Sequence, residues 1–135
     1  MQDKAHTSEV DMIVRTLREK FVVSAGNKLD EMDRLIAGIN SHNGCIRNHA
    51  CEIRETAHAL KGTAGSLGFM SITRIAEVFE EFLAASEHTG TLSAVDTRRY
   101  FDAMRAIIAN GDEPEENEII SILKALPSAA DTPVG

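Results

Sequence analysis

The residues of this chain best suited to chemistry are gathered in Ala57-His58-Ala59-Leu60-Lys61-Gly62-Thr63-Ala64-Gly65-Ser66-Leu67-Gly68. Around them, apolar or small residues fall at Ile46, Ala50, Ile53, Ala57, Leu60, Ala64 and Leu67, in alternating steps of four and three. That is the seam of a helix packed in a bundle. With Ile53 as zero, the seven lie within roughly 60° of one direction. His58 lies at about 140°, on the wet face, and Lys61 (about 80°), Gly65 (about 120°) and Gly62 (about 180°) share its flank. A glycine inside a helix costs about 1 kcal/mol relative to Ala. The glycines stand four and seven residues after His58, on the side where neighbouring side chains would otherwise cover the ring. The imidazole is thereby opened to a large partner, with a positive charge within one turn. An exposed neutral imidazole beside a cation suits a phosphoryl acceptor: the ring attacks, and the ammonium steadies the resulting negative charge.

His58-x-Leu60-Lys61-Gly62-x-Ala64-x-x-Leu67-Gly68 resembles the signature of the histidine-containing phosphotransfer (HPt) family. The resemblance covers roughly residues 8–110, because helical patterns of fitting length flank the motif. It implies an antiparallel helical bundle whose surface histidine, here His58, passes phosphoryl groups to and from aspartates of response-regulator receiver domains. It further implies a sensor histidine kinase, hybrid or not, as a partner. No cofactor is expected in the chain itself, and Mg²⁺ is expected from the receiver. Two other readings stay open. One is the phospho-accepting N-terminal domain of a chemotaxis-type kinase, whose motif is also similar, Gly68-Phe69 included. The other is a helical module that docks a receiver without transferring phosphate, although such modules lack this histidine. No P-loop pattern or Gly-rich nucleotide loop is present, so autonomous ATP-dependent phosphorylation is not expected.

The elements that must position His58 follow from periodicity. Residues 1–7 are expected to fray, and Thr7 or Ser8 to cap a short helix through Val10, Ile13, Val14 and Leu17. That helix is either separate from, or continues with little interruption into, a second pattern at Phe21, Ala25, Leu29, Met32, Leu35, Ile36 and Ile39. Asn40 to Gly44 reads as a turn. The His58 helix runs from about Cys45 to Leu67, and Gly68 ends it. Ser71 is expected to cap a helix burying Ile72, Ile75, Ala76, Phe79, Phe82 and Leu83. Ser93 opens another, burying Val95, Phe101, Met104, Ile107 and Ile108, and Asn110-Gly111 stops it. Asp112-Glu113-Pro114 begins a last short helix through Ile119, Ile120, Leu123 and Leu126. No stretch has the alternation of a strand.

The fold class is therefore all-α. Short connections predict an antiparallel up-down four-helix bundle of about residues 20–40, 45–67, 71–87 and 93–109, with additional short N-terminal and C-terminal helices. All 135 residues form a single domain, with a bundle core of about 8–110, a C-terminal helix of about 114–126 and a flexible tail at 127–135. The turn after the motif centres near residue 69, so the level of His58 on the next helix falls near residue 80. Glu77, Glu80 and Glu81 are there. Glu80, on the rim of the packed face, is positioned to accept a hydrogen bond from the ring nitrogen nearer the helix and leave the other as nucleophile. It also resembles by spacing a glutamate of the chemotaxis kinases. The alternative is a solvated acidic face. Gly65 has its own alternative, relief of local packing.

The net charge of −7 argues against nucleic acid. No apolar run approaches a membrane span, and Met1-Gln2-Asp3-Lys4 opens no secretory signal, so a cytoplasmic protein is expected. Cys45 and Cys51 lie on different flanks of one helix and match no usual zinc spacing. His6, His42, His49 and His88 lack the glycine pair and lysine, and read as ordinary polar residues. A monomer is expected, because the periodicity leaves no second seam for a partner.

Overall fold

The computed structural model describes residues 2–41, 50–89 and 94–127, with side chains placed over 9–37, 51–86 and 94–127. Among the described residues there are five helices and no strands: α1 (Gln2–Ser41), α2 (Ala50–Ser66), α3 (Met70–Thr89), α4 (Ala94–Asn110) and α5 (Glu116–Ala125). The 40–44 turn, the start of the His58 helix at Cys45 to His49, the Ser93 cap and the tail beyond Pro127 lie largely or wholly outside the described residues.

α1 takes the continuous course that the little-interrupted pattern left open, and not that of a separate short helix. The fraying segment, the short N-terminal helix and the first bundle helix are one helix of 40 residues. No proline interrupts it, and Gly26, whose added Cβ would meet nothing within 4 Å, is tolerated. Thr7 and Ser8 are therefore interior positions, not caps. Only the second half of α1 belongs to the bundle: Phe21, Ala25, Leu29, Met32 and Ile36 are buried. Val10, Ile13, Val14 and Leu17 are exposed. Phe21 meets Phe69 with ring centroids 5.6 Å apart, and the Arg18 guanidinium lies 4.7 Å over the same ring. These residues thus stand level with the α2–α3 turn, and the rest of α1 overhangs by roughly 24 Å.

The core behind the site forms as the periodicity requires. Ile53, Ala57, Leu60 and Ala64 of α2 meet Ile72, Ile75, Ala76, Phe79, Phe82 and Leu83 of α3, all buried. Phe79 meets Tyr100 of α4 in a tilted pair and Phe101 edge-to-face, at 4.8 and 5.4 Å between centroids. Tyr100 joins the core by donating its hydroxyl hydrogen to the Pro127 carbonyl. Val95, expected inside, is exposed, and Thr97 takes the buried place in the first turns of α4. Of the apolar residues of α5, Ile119 is turned inward and Ile120 outward.

The α2–α3 turn sets the register of the site. Gly68 has φ of 90°, and its amide bonds the Gly65 carbonyl while the Phe69 amide reaches the Ala64 carbonyl at 2.9 Å. That is a Schellman closure with the left-handed residue glycine favours. Ser71 is not the cap of α3. The Phe69 carbonyl accepts the first helical bonds, from Ile72 and Thr73, so Phe69 holds the cap position. The Ser71 amide and hydroxyl instead donate to the Glu113 carboxylate. This is why α5 starts at Glu116 and not near Pro114: the preceding Glu113 is committed to the N-terminus of α3, where a carboxylate also meets the favourable end of the helix dipole. Arg74 pairs with Glu116 at 2.8 Å and fastens α5 to the same end.

Candidate functional site

The site is built on two helices joined by that turn. α2 presents His58 on the face opposite its buried seam. Its side chain is 73% exposed, the value expected of a group that must meet a macromolecule. α3 runs back alongside. Lys61 and Gly65 of α2 meet Thr73, and His58 meets Glu80, so position rises on one helix as it falls on the other. The pair is antiparallel, and Glu80 arrives at the histidine because both lie about eleven residues from the turn.

His58 Nδ1 stands 3.3 Å from Glu80 Oε1, and Lys61 Nζ donates to Glu80 Oε2 at 3.2 Å. A carboxylate only accepts, so the ring nitrogen facing it carries the proton. In the neutral ring Nε2 then holds the lone pair. One carboxylate thus fixes the tautomer and, through its second oxygen, the ammonium. Glu80 and Lys61 are each about a quarter exposed, while the ring projects into solvent. The shallow hollow around it is lined by Arg54, Glu55, His58, Ala59 and Glu80. Glu77 and Glu81, at the same level, are exposed.

The two glycines differ. A Cβ on Gly62 would meet nothing within 4 Å, so no contact inside the chain requires glycine there. A Cβ on Gly65 would come 3.1 Å from Thr73 Oγ1, tighter than ordinary van der Waals contact. Thr73 Oγ1 donates to the Lys61 carbonyl at 2.9 Å and draws α3 onto α2 beside the site. Gly65 thus permits a close helix approach, the packing alternative, and it is half-buried. Periodicity did not single out Thr73. A threonine four residues into a helix carries no signal of which backbone carbonyl lies across from it.

The family model of the Hpt domain matches residues 16–125. No curated protein and no solved structure gives a match. The match spans α2 to α5 and the bundle half of α1, and omits most of the overhang.

Proposed function

The chain belongs to the Hpt domain family, and on that premise we propose that it relays phosphoryl groups between His58 and aspartates of response-regulator receiver domains. The observation that carries the reading is the exposed imidazole held at Nδ1 by Glu80, which leaves Nε2 as the nucleophile. In the forward step the Nε2 lone pair attacks the phosphorus of a receiver aspartyl phosphate. The P–N bond forms, the P–O bond to the aspartate breaks, and the carboxylate leaves. Microscopic reversal loads a second receiver. Phosphoryl transfer is mostly positioning and charge neutralisation, and most of that is supplied by the receiver, with Mg²⁺ bound there.

This chain's own residues contribute three things. Glu80 orients the ring. Lys61 keeps the Glu80 carboxylate compensated, so a dianionic phosphoryl group approaches a neutral pair and not a bare anion, and its ammonium lies within a turn of His58. Gly62 leaves the approach clear, and Gly65 seats α3 against α2. The up-down order of the four longer helices, expected from short connections, completes the reading. No helix among the described residues is long and apolar enough to cross a membrane, in keeping with a cytoplasmic relay.

Rapid mixing of the protein with radiolabelled receivers tests this. Label is expected to move onto the protein without ATP and to return to a second, unlabelled receiver. Loading only by a kinase catalytic domain with ATP would place the chain as a phospho-accepting kinase domain instead. Stable receiver binding with no label transfer would leave the docking module.

A further inference from the structure

We propose that the overhang of α1 is a self-association surface, on which two copies of this chain pair antiparallel about a twofold axis near Val14. The proposal does not rest on the phosphotransfer reading. Val10, Ile13, Val14 and Leu17 are 45, 60, 39 and 46% exposed, at spacings of three, one and three. They form one stripe, within about 100° around the helix. The stripe continues the line of Phe21, Ala25 and Leu29 past the point where α2 and α3 turn back. It is the seam whose absence predicted a monomer.

Charge says what covers it. Glu9 and Asp11 precede the middle of the stripe, and Arg15, Arg18 and Lys20 follow it, while Glu19 among them lies on the opposite face of the helix and does not flank the stripe. Among the described residues no ion pair within the chain engages any of the five, and Arg18 rests over Phe69. A parallel pair would set acid against acid and base against base. An antiparallel pair centred near Val14 sets Val10 against Leu17 and Ile13 against Val14. On one flank it brings Asp11 to Arg15 of the partner copy, and on the other Glu9 to Lys20. Each contact occurs twice, so the surface is self-complementary, as a twofold interface requires. The acidic and basic halves also select against the parallel register. Such an interface is small, and association in the micromolar range or weaker is expected.

His58 is not obstructed. It lies roughly 16 Å along the bundle axis from the α2–α3 turn, and the stripe lies roughly 12 Å beyond the turn on the other side. A dimer therefore carries two open histidines.

Sedimentation equilibrium of the full chain from micromolar to millimolar concentration tests the proposal. The mass is expected to rise from one chain towards two. Ile13→Glu is expected to hold it at one and, at a concentration where the unaltered chain is also single, to leave the thermal midpoint unchanged, since Ile13 is 60% exposed. A chain carrying Arg15→Glu and Lys20→Glu, and another carrying Glu9→Lys and Asp11→Lys, are each expected to stay single and to pair when mixed. Three results would overturn the proposal. One is a single mass at every concentration, as when the stripe serves some other protein. Another is association that survives Ile13→Glu. The last is association of the unaltered chain without pairing of the mixed charge variants.

Discussion

At the scale of the residue, the account turns on one carboxylate shared by an imidazole and an ammonium. Glu80→Gln keeps the size and an acceptor but removes the charge. A charge-assisted hydrogen bond contributes about 1.5–3 kcal/mol, so transfer is expected to slow by about ten- to a hundredfold. Phosphate is still accepted at His58, and receiver affinity changes little. Quench-flow rates measured beside receiver titrations separate the two effects. Gly62→Gln tests access. A Cβ at this position meets nothing within 4 Å, so stability should rise by up to about 1 kcal/mol, read by urea titration, while transfer slows because the approach is filled. A variant both more stable and equally fast would remove Gly62 from the site. The placing of His58, Lys61 and Gly62 on the face away from the seam was legible in sequence because that seam is unambiguous, whereas the packing of Gly65 on Thr73 was only one of two readings. Glu80 was legible only through the turn, by counting equal distances from residue 69. Thr73 was not, since its partner is a backbone carbonyl.

At the scale of the element, α2 and α3 act as one hairpin, and its register depends on the turn and on the anchoring of α3. Gly68→Ala forces a left-handed φ on a residue with a Cβ, at a cost of about 1–2 kcal/mol. Glu113→Ala leaves the first turn of α3 without its carboxylate, and a lost helix cap costs about 1 kcal/mol. Hydrogen exchange should then quicken at the amides of Ser71 and Ile72 before it does at Phe79 and Leu83. Unchanged exchange at Ser71 would contradict the capping role. These two residues mark the limit of what periodicity conveys. Gly68 after a regular seam announces a helix end. Glu113, however, caps a helix 42 positions away, and only the folded chain brings the two together. Ser71 drew attention as a local cap because serine favours that place, yet the long-range carboxylate satisfies it instead. Val95 and Ile120 fit a helical period, but each element buries a narrower face than its apolar residues outline.

At the scale of the whole molecule, the bundle and the overhang are separable. The buried residues of α1 begin at Phe21, and the family match begins at residue 16. Removing residues 2–15 is therefore expected to leave the thermal midpoint within a degree or two, since surface changes are usually within about 0.5 kcal/mol. It should also leave the transfer rate intact. A large fall in the midpoint would show that the overhang supports the bundle. The sequence displayed both apolar patterns of α1 but not their unequal burial. Periodicity records which face is apolar, not whether another helix reaches it. The most direct test of the central claim is the intact mass of the full chain after exposure to a phosphorylated receiver with Mg²⁺ and without ATP, alongside His58→Gln. The account predicts one added phosphate that is lost in acid and absent from the variant. No phosphate from a panel of receivers on a folded sample, or phosphate that persists in His58→Gln, would contradict it.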